Sequence, residues 1–151
     1  PTTTLVDERA VSHLKEIAGV DPVAFGIEMF KAKMDPKHMS IENIITMDMK
    51  ELHTPRGSVA VSQIEAIEPE VILERKEEIL RIMGDIAAKK GYVLFVFMIT
   101  DVMKGSSMLL ITGQRRIAER AFGRKVENGV VWLEGVVSRK KQVLPRLYEV
   151  M

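Results

Sequence analysis

Four consecutive residues near the C-terminus, Ser138-Arg139-Lys140-Lys141, carry the strongest chemical signal in this 151-residue chain. They follow an apolar run (Val130, Val131, Trp132, Leu133, then Val136 and Val137) that reads as a buried strand, so the cations sit where the chain leaves a sheet. Phosphate suits such a place. Backbone N–H groups converge at the turn, Ser138 adds a hydroxyl, and the planar Arg139 fork matches a pair of phosphoryl oxygens, with Lys140 and Lys141 as point charges. A cationic triplet at a strand end also serves as a plain solvated turn, and spacing alone does not separate the two readings.

Other chemistries find little support. No cysteine is present, which removes disulfides, a thiol nucleophile and thiolate metal sites. His13, His38 and His53 stand apart with no zinc-type spacing, and there is neither a Walker loop nor a G-x-S-x-G elbow. What remains is a set of cations, which binds phosphoryl oxygens but generates no nucleophilic hydroxide. Substrate binding, rather than complete catalysis, is the expectation.

Apolar residues make up 46% and charged residues 28%, values of an ordinary globular protein. The net charge of +1 argues against a general nucleic-acid binder, yet it is unevenly placed. Residues 1–75 hold 8 Lys/Arg against 13 Asp/Glu, and residues 76–151 hold 14 against 8, so the later half is suited to a small anion or an acidic partner. The longest apolar run, Val93 to Ile99, is too short to span a membrane, and a cytoplasmic protein without membrane partners is expected. Position 1 is Pro, so the chain is expected to be processed or cut from a longer one.

The elements that must position the cations follow in order. Thr4 and Asp7 cap a helix with Ala10, Val11, Leu14 and Ile17 at helical spacing, ending at Gly19. Asp21-Pro22 opens a second helix to about Lys33, with Val23, Ile27, Phe30 and Met34 on one face and Lys31, Lys33, Lys37 and His38 near its end. Ser40 starts a short third helix through Ile41, Ile44 and Ile45. Met49–His53 and Ser58–Ile64 read as a hairpin about Pro55-Arg56-Gly57. One long helix is predicted from Glu68-Pro69-Glu70 to Gly91, with Ile72, Lys76, Ile79, Met83 and Ile86 on a stripe.

Tyr92–Thr100 is a nearly continuous apolar run, expected as a central strand buried on both faces. Asp101 at its end is expected to cap the loop through Lys104-Gly105-Ser106-Ser107 before the strand Met108–Thr112. Gln114–Phe122 is a helix stopped by Gly123. Asn128-Gly129 turns Arg124–Glu127 into the strand Val130–Val137. Pro145 forbids one uninterrupted helix from Ser138, leaving a tight basic turn or a kinked helix anchored by Leu144, Leu147 and Val150. The whole is expected to be α/β: a single domain over 1–151, with a mixed sheet of about five strands and helices packed on its faces.

The segment Gly135 to Pro145, GVVSRKKQVLP, closely resembles the C-terminal signature of the family II, manganese-dependent inorganic pyrophosphatases of the DHH phosphoesterase superfamily. The chain is similar to the C-terminal domain of that family over nearly its whole length, through Glu16-Ile17-Ala18-Gly19-Val20-Asp21, Phe30-Lys31-Ala32-Lys33-Met34-Asp35 and Met98-Ile99-Thr100-Asp101. The resemblance implies a diphosphate clamp in which Lys31, Arg139 and Lys140 contact substrate, with Ser138 and Lys141 as lesser members. This sequence has Lys33 where the family usually has Gly, so which of Lys31 and Lys33 reaches the ligand stays open.

The family holds manganese (or magnesium) in an N-terminal DHH domain through motifs that include Asp-His-His, and no such motif occurs here. The implied partners are inorganic diphosphate, that N-terminal domain and further copies of the full-length enzyme. Arg139, Lys140 and Lys31 would hold one phosphoryl group and offset charge on the leaving phosphate, and the isolated chain would hydrolyse nothing. Replacing Arg139 and Lys140 by Ala is expected to leave the fold nearly unchanged, as exposed cations contribute little stability. Two alternatives remain: the second domain of a DHH-type exopolyphosphatase, and a non-catalytic anion-binding regulatory module.

Overall fold

The computed structural model describes residues 3–33 and 39–151, and the chain divides into two compact units, 1–35 and 36–151. In the first, α1 (Leu5–Ala18) begins at a capping box in which the Thr4 hydroxyl accepts the Asp7 N–H (3.3 Å) and the Asp7 carboxylate accepts the Thr4 N–H (2.8 Å). Gly19 closes it in the left-handed region, as expected from sequence. The second helix, α2 (Pro22–Lys33), is capped by Asp21, whose carboxylate accepts the Val23 N–H at 2.8 Å. Placements expected for Met34, Asp35, Lys37 and His38 lie outside the described residues.

The second unit is built on a five-stranded sheet in the order β1 (Lys50–Thr54), β2 (Gly57–Ala66), β3 (Tyr92–Asp101), β4 (Ser106–Gly113), β5 (Val130–Glu134). All neighbours are antiparallel except β2 and β3, which are parallel. A parallel pair needs a long crossover, and α4 (Pro69–Leu73) with α5 (Lys76–Lys90) provides it. The expected mixed sheet with helices on its faces is what forms. β3 lies at its centre and is buried from Leu94 to Asp101, which explains its continuous hydrophobicity.

Alternation divides the core. Leu94, Val96 and Met98 join Leu109, Ile111, Val131 and Leu133 in one cluster, which also takes Ala118 and Phe122 from α6 (Arg115–Phe122) and Leu147 from α7 (Leu144–Val150). Phe95, Phe97 and Ile99 take the other face, with α5 packed on β3 and β4 and with α3 (Ile41–Thr46) against α5 and β2. Ser40 caps α3 through the Asn43 N–H (3.2 Å), and Ile41, Ile44 and Ile45 are buried as their spacing requires.

Three expectations are corrected. The single helix from Glu68 to Gly91 is broken at Glu74–Arg75, where Arg75 adopts φ −100° and ψ 17° and its N–H bonds to Ile72 O at 3.1 Å. No Gly or Pro lies there, and the break follows from tertiary contact: the Arg75 guanidinium donates to the Met39 carbonyl (3.2 Å) just before α3. Second, Arg124–Glu127 forms no strand, only one bridge between Glu127 and Val130. Its Val126 N–H is taken by the Glu119 carboxylate (3.1 Å), and Asn128 and Gly129, both at positive φ, close a two-residue turn.

Third, β5 stops at Glu134 rather than Val137. Gly135 turns the chain at φ 67°, a conformation costly for any residue with a Cβ. Val136 and Val137 are therefore freed from the ladder.

Candidate functional site

Because β5 is antiparallel to β4, it runs the same way as β2 and β3, and the register sets Ala66, Asp101, Ser106 and Glu134 in one row. The chain leaves β5 at the C-terminal edge of β2 and β3, a common ligand position in α/β sheets. From Gly135 it folds back to Ser138, then winds one π-helical turn, Arg139–Val143, whose closing bond runs from the Leu144 N–H to the Arg139 carbonyl. π turns are rare and frequent at functional sites. This one occupies the segment that Pro145, in the first turn of α7, bars from a continuous α-helix. The expected basic turn or kinked helix takes the form of a π turn running directly into α7. Fully buried Val143 and Leu147 anchor it, while Leu144 and Val150, expected as anchors, are only half-buried.

A polar relay inside the sheet holds this turn. One hydrogen of the Gln63 amide goes to Thr100 Oγ1 and the other to the Val137 carbonyl, both at 3.0 Å. Its oxygen accepts the Arg139 N–H at 3.2 Å. Ser107 Oγ lies 3.0 Å from Thr100 Oγ1 and 2.6 Å from the Val136 carbonyl oxygen. A hydroxyl has one proton and the carbonyl can only accept, so Ser107 donates to Val136 and Thr100 donates to Ser107. Neighbouring β2, β3 and β4 thereby fix Val136, Val137 and Arg139.

Gln142 completes the frame from within the turn. Its side-chain oxygen accepts the N–H groups of Val137 and Ser138 (both 3.0 Å), and its amide donates to Gly135 O at 2.9 Å. Ser138 Oγ accepts the Lys141 N–H at 3.2 Å, so that hydroxyl caps the turn while its own proton can still be offered to a ligand. Gln63, Thr100, Ser107, Gln142 and Asp48 were not singled out from sequence as site residues. The legible signal was polarity within core strands: Thr100 and Ser107 are almost wholly buried, and buried hydroxyls must find partners.

The cations differ in setting. Lys140 and Lys141 are exposed, as a ligand-facing or solvated cation should be. Arg139 is only 8% exposed, which corrects the expectation of an exposed cation. Its guanidinium pairs with the Asp48 carboxylate (3.1 Å), donates to the Asp48 carbonyl, and buries Nε with no hydrogen-bond partner among the described residues. Lys31 stands in α2 of the 1–35 unit; its side chain and that of Lys33 lie outside the described residues. The structure therefore brings Ser138, Arg139, Lys140 and Lys141 together on one turn.

Asp101 caps the β3–β4 loop as expected, its carboxylate accepting the Met103 and Lys104 N–H groups (both 2.9 Å) and pairing with Lys104 Nζ at 3.3 Å. Burial pushes its carboxyl upward, but the Lys104 and Met103 hydrogen bonds and the Lys104 charge outweigh it and hold it below the usual carboxylate range.

No group of three or more His, Asp or Glu side chains suited to a metal occurs among the described residues. His53 instead shares a hydrogen bond with Ser58 Oγ (2.9 Å) and stands 3.8 Å from Glu51. The donor set of the described residues does not fit a manganese site.

Removing the Ser107 hydroxyl by Ser107→Ala is expected to destabilise the fold by about 1–3 kcal/mol, since the buried Val136 carbonyl loses its donor. Chemical denaturation checks the loss, and amide exchange at Val136–Arg139 should quicken with it. An unchanged midpoint and unchanged exchange would deny the relay this role.

Residues 27–150 match the model of the DHHA2 domain. The chain belongs to the DHHA2 domain family. A protein of Methanocaldococcus jannaschii named manganese-dependent inorganic pyrophosphatase is 41% identical over 148 residues, covering 97% of this chain and 48% of that protein. A Staphylococcus epidermidis protein given the same functional name is 36% identical over 152 residues, covering all of this chain and 49% of its own length. The crystal structure of a Methanococcus jannaschii chain described as a family II inorganic pyrophosphatase superposes with a TM-score of 0.79 at 40% identity, covering 99% of this chain and 49% of that one. The resemblance carried by GVVSRKKQVLP thus extends along the whole sequence. This chain spans about half the length of the curated relatives it matches.

Proposed function

We propose that residues 1–151 are the C-terminal, substrate-binding domain of a manganese-dependent inorganic pyrophosphatase, which converts diphosphate and water to two phosphates. The observation that carries this reading is the framed π turn at the sheet's C-terminal edge, presenting Arg139, Lys140 and Lys141 in a DHHA2 chain. Diphosphate bears about three or more negative charges near neutral pH, and a planar cation and point cations gathered on one framed turn match the charge of such a ligand.

In this reading Arg139 and Lys140 grip one phosphoryl group, Ser138 adds a donor, and Lys141 lends charge at the rim. By the family resemblance a lysine of α2, Lys31 or Lys33, is the third main contact. Manganese would be held by the part of the relatives' length that this chain does not match, and would supply an activated water there. What these residues do is bind the phosphoryl group, orient it and offset the charge that builds as the leaving phosphate departs. Absence of cysteine agrees with a cytoplasmic setting, and no helix among the described residues is long and apolar enough to cross a membrane.

The pure chain is expected to release no phosphate from diphosphate above the blank, with or without manganese. A phosphate-release assay decides it, and manganese-dependent turnover by the pure chain would overturn the assignment of this half to substrate binding alone.

A further inference from the structure

A carboxylate from elsewhere in the fold is paired with the cationic turn, and the proposed function does not use it. Asp48 lies between α3 and β1 and is exposed, with 57% of its side chain accessible, while the Arg139 side chain that it holds is only 10% accessible. Both terminal nitrogens of that guanidinium go to Asp48, one to the carboxylate and the other to the main-chain carbonyl. A guanidinium offers a phosphoryl group two bidentate edges. The edge between the terminal nitrogens is occupied by Asp48, and on the other edge Nε is buried with no partner among the described residues. So held, Arg139 cannot grip a phosphoryl oxygen pair.

We infer that Asp48 is a latch on Arg139: an internal carboxylate that occupies the guanidinium in the ligand-free domain and is displaced by the phosphoryl oxygens of diphosphate. This rests on the reading of Arg139 as a diphosphate contact. Three features make the exchange workable. Asp48 sits at the surface on a short turn, so its carboxylate can swing into water. The Arg139 N–H is held separately by Gln63, so the main chain of the turn stays fixed while the side chain changes partner. The unpartnered Nε makes the latched arrangement incompletely satisfied, which favours a ligand able to supply the missing acceptor. The latch also confers selectivity, because a weak monoanion competes poorly with a carboxylate already in place.

The test is titration of the isotopically labelled 151-residue chain with sodium diphosphate, following the Arg139 side-chain Nε–H and the backbone amides of Ser138–Gln142 by NMR. Asp48→Asn keeps the shape and removes the charge. If the latched form outnumbers the open one by roughly tenfold, breaking it tightens apparent binding by up to about tenfold. Asp48→Ala should do the same, and thermal unfolding of both variants verifies that they are folded.

Tighter binding by both variants, including binding that only they show, supports the latch. Equal or weaker binding with the Ser138–Gln142 signals still moving overturns the latch and leaves the diphosphate reading intact. If no form of the chain shows perturbation at Ser138–Gln142, both fall together.

Discussion

Diphosphate binding should fall by about a hundredfold or more when Arg139 and Lys140 are both replaced by Ala, because each charge-assisted hydrogen bond to a phosphoryl oxygen is worth about 1.5–3 kcal/mol. In an intact enzyme containing this domain, turnover should fall at least as far, since these contacts strengthen as charge gathers on the leaving phosphate. Calorimetric titration of the chain and steady-state kinetics of the enzyme check the two halves of this statement. The single substitutions should differ in stability. Lys140 is exposed and its loss should be nearly neutral. Arg139→Ala strips the Asp48 carbonyl and carboxylate of their partner and removes a buried aliphatic stem, so it should cost about 1–3 kcal/mol. Binding retained within a few-fold in the double variant would remove both residues from the site.

The largest loss of stability should come from the centre of the sheet. Phe97 is fully buried at the middle of β3, opposite Ser62 on β2 and Leu110 on β4. Phe97→Ala should cost about 3–5 kcal/mol, combining lost transfer energy with a cavity that rigid neighbours cannot fill. Against a typical domain stability of about 5–15 kcal/mol, that is a large share of the total. Urea unfolding measures it, and a loss under about 1 kcal/mol would mean that the core around β3 repacks freely. The site should suffer as well, because Thr100 follows Phe97 on the same strand and shares the relay that pins Val136 and Val137.

Most of the fold was legible because local rules and tertiary packing agree. Thr4 with Asp7, Ser40, Gly19 and Asn128-Gly129 each specify a cap or turn by their own side chain or backbone freedom, and each does so here. The Tyr92–Asp101 strand was legible from its length and continuous hydrophobicity, which only a central strand satisfies. Two of the failures share one cause. At Glu74–Arg75 the sequence favours helix, and the break comes from an arginine reaching a carbonyl 36 positions away. Arg124–Glu127 resembles a strand in isolation, but Glu119 captures one of its N–H groups first.

The site divides in the same way. Ser138, Arg139, Lys140 and Lys141 were legible because they are adjacent and chemically conspicuous. Their support was not, because Gln63 lies 76 positions from Arg139 and Asp48 lies 91 positions away, and only the parallel crossover and the return of β5 bring them together. Arg139 reads from sequence as an exposed cation, yet its neighbours turn it inward.

The central claim is that this chain binds diphosphate on the turn that follows Ser138, and a diphosphate titration of the isotopically labelled chain tests it most directly. Saturable movement of the Ser138–Gln142 amide signals, lost in Arg139→Ala/Lys140→Ala, is the predicted result. Signals at Ser138–Gln142 that stay fixed at saturating diphosphate, or that move equally in the double variant, would contradict it.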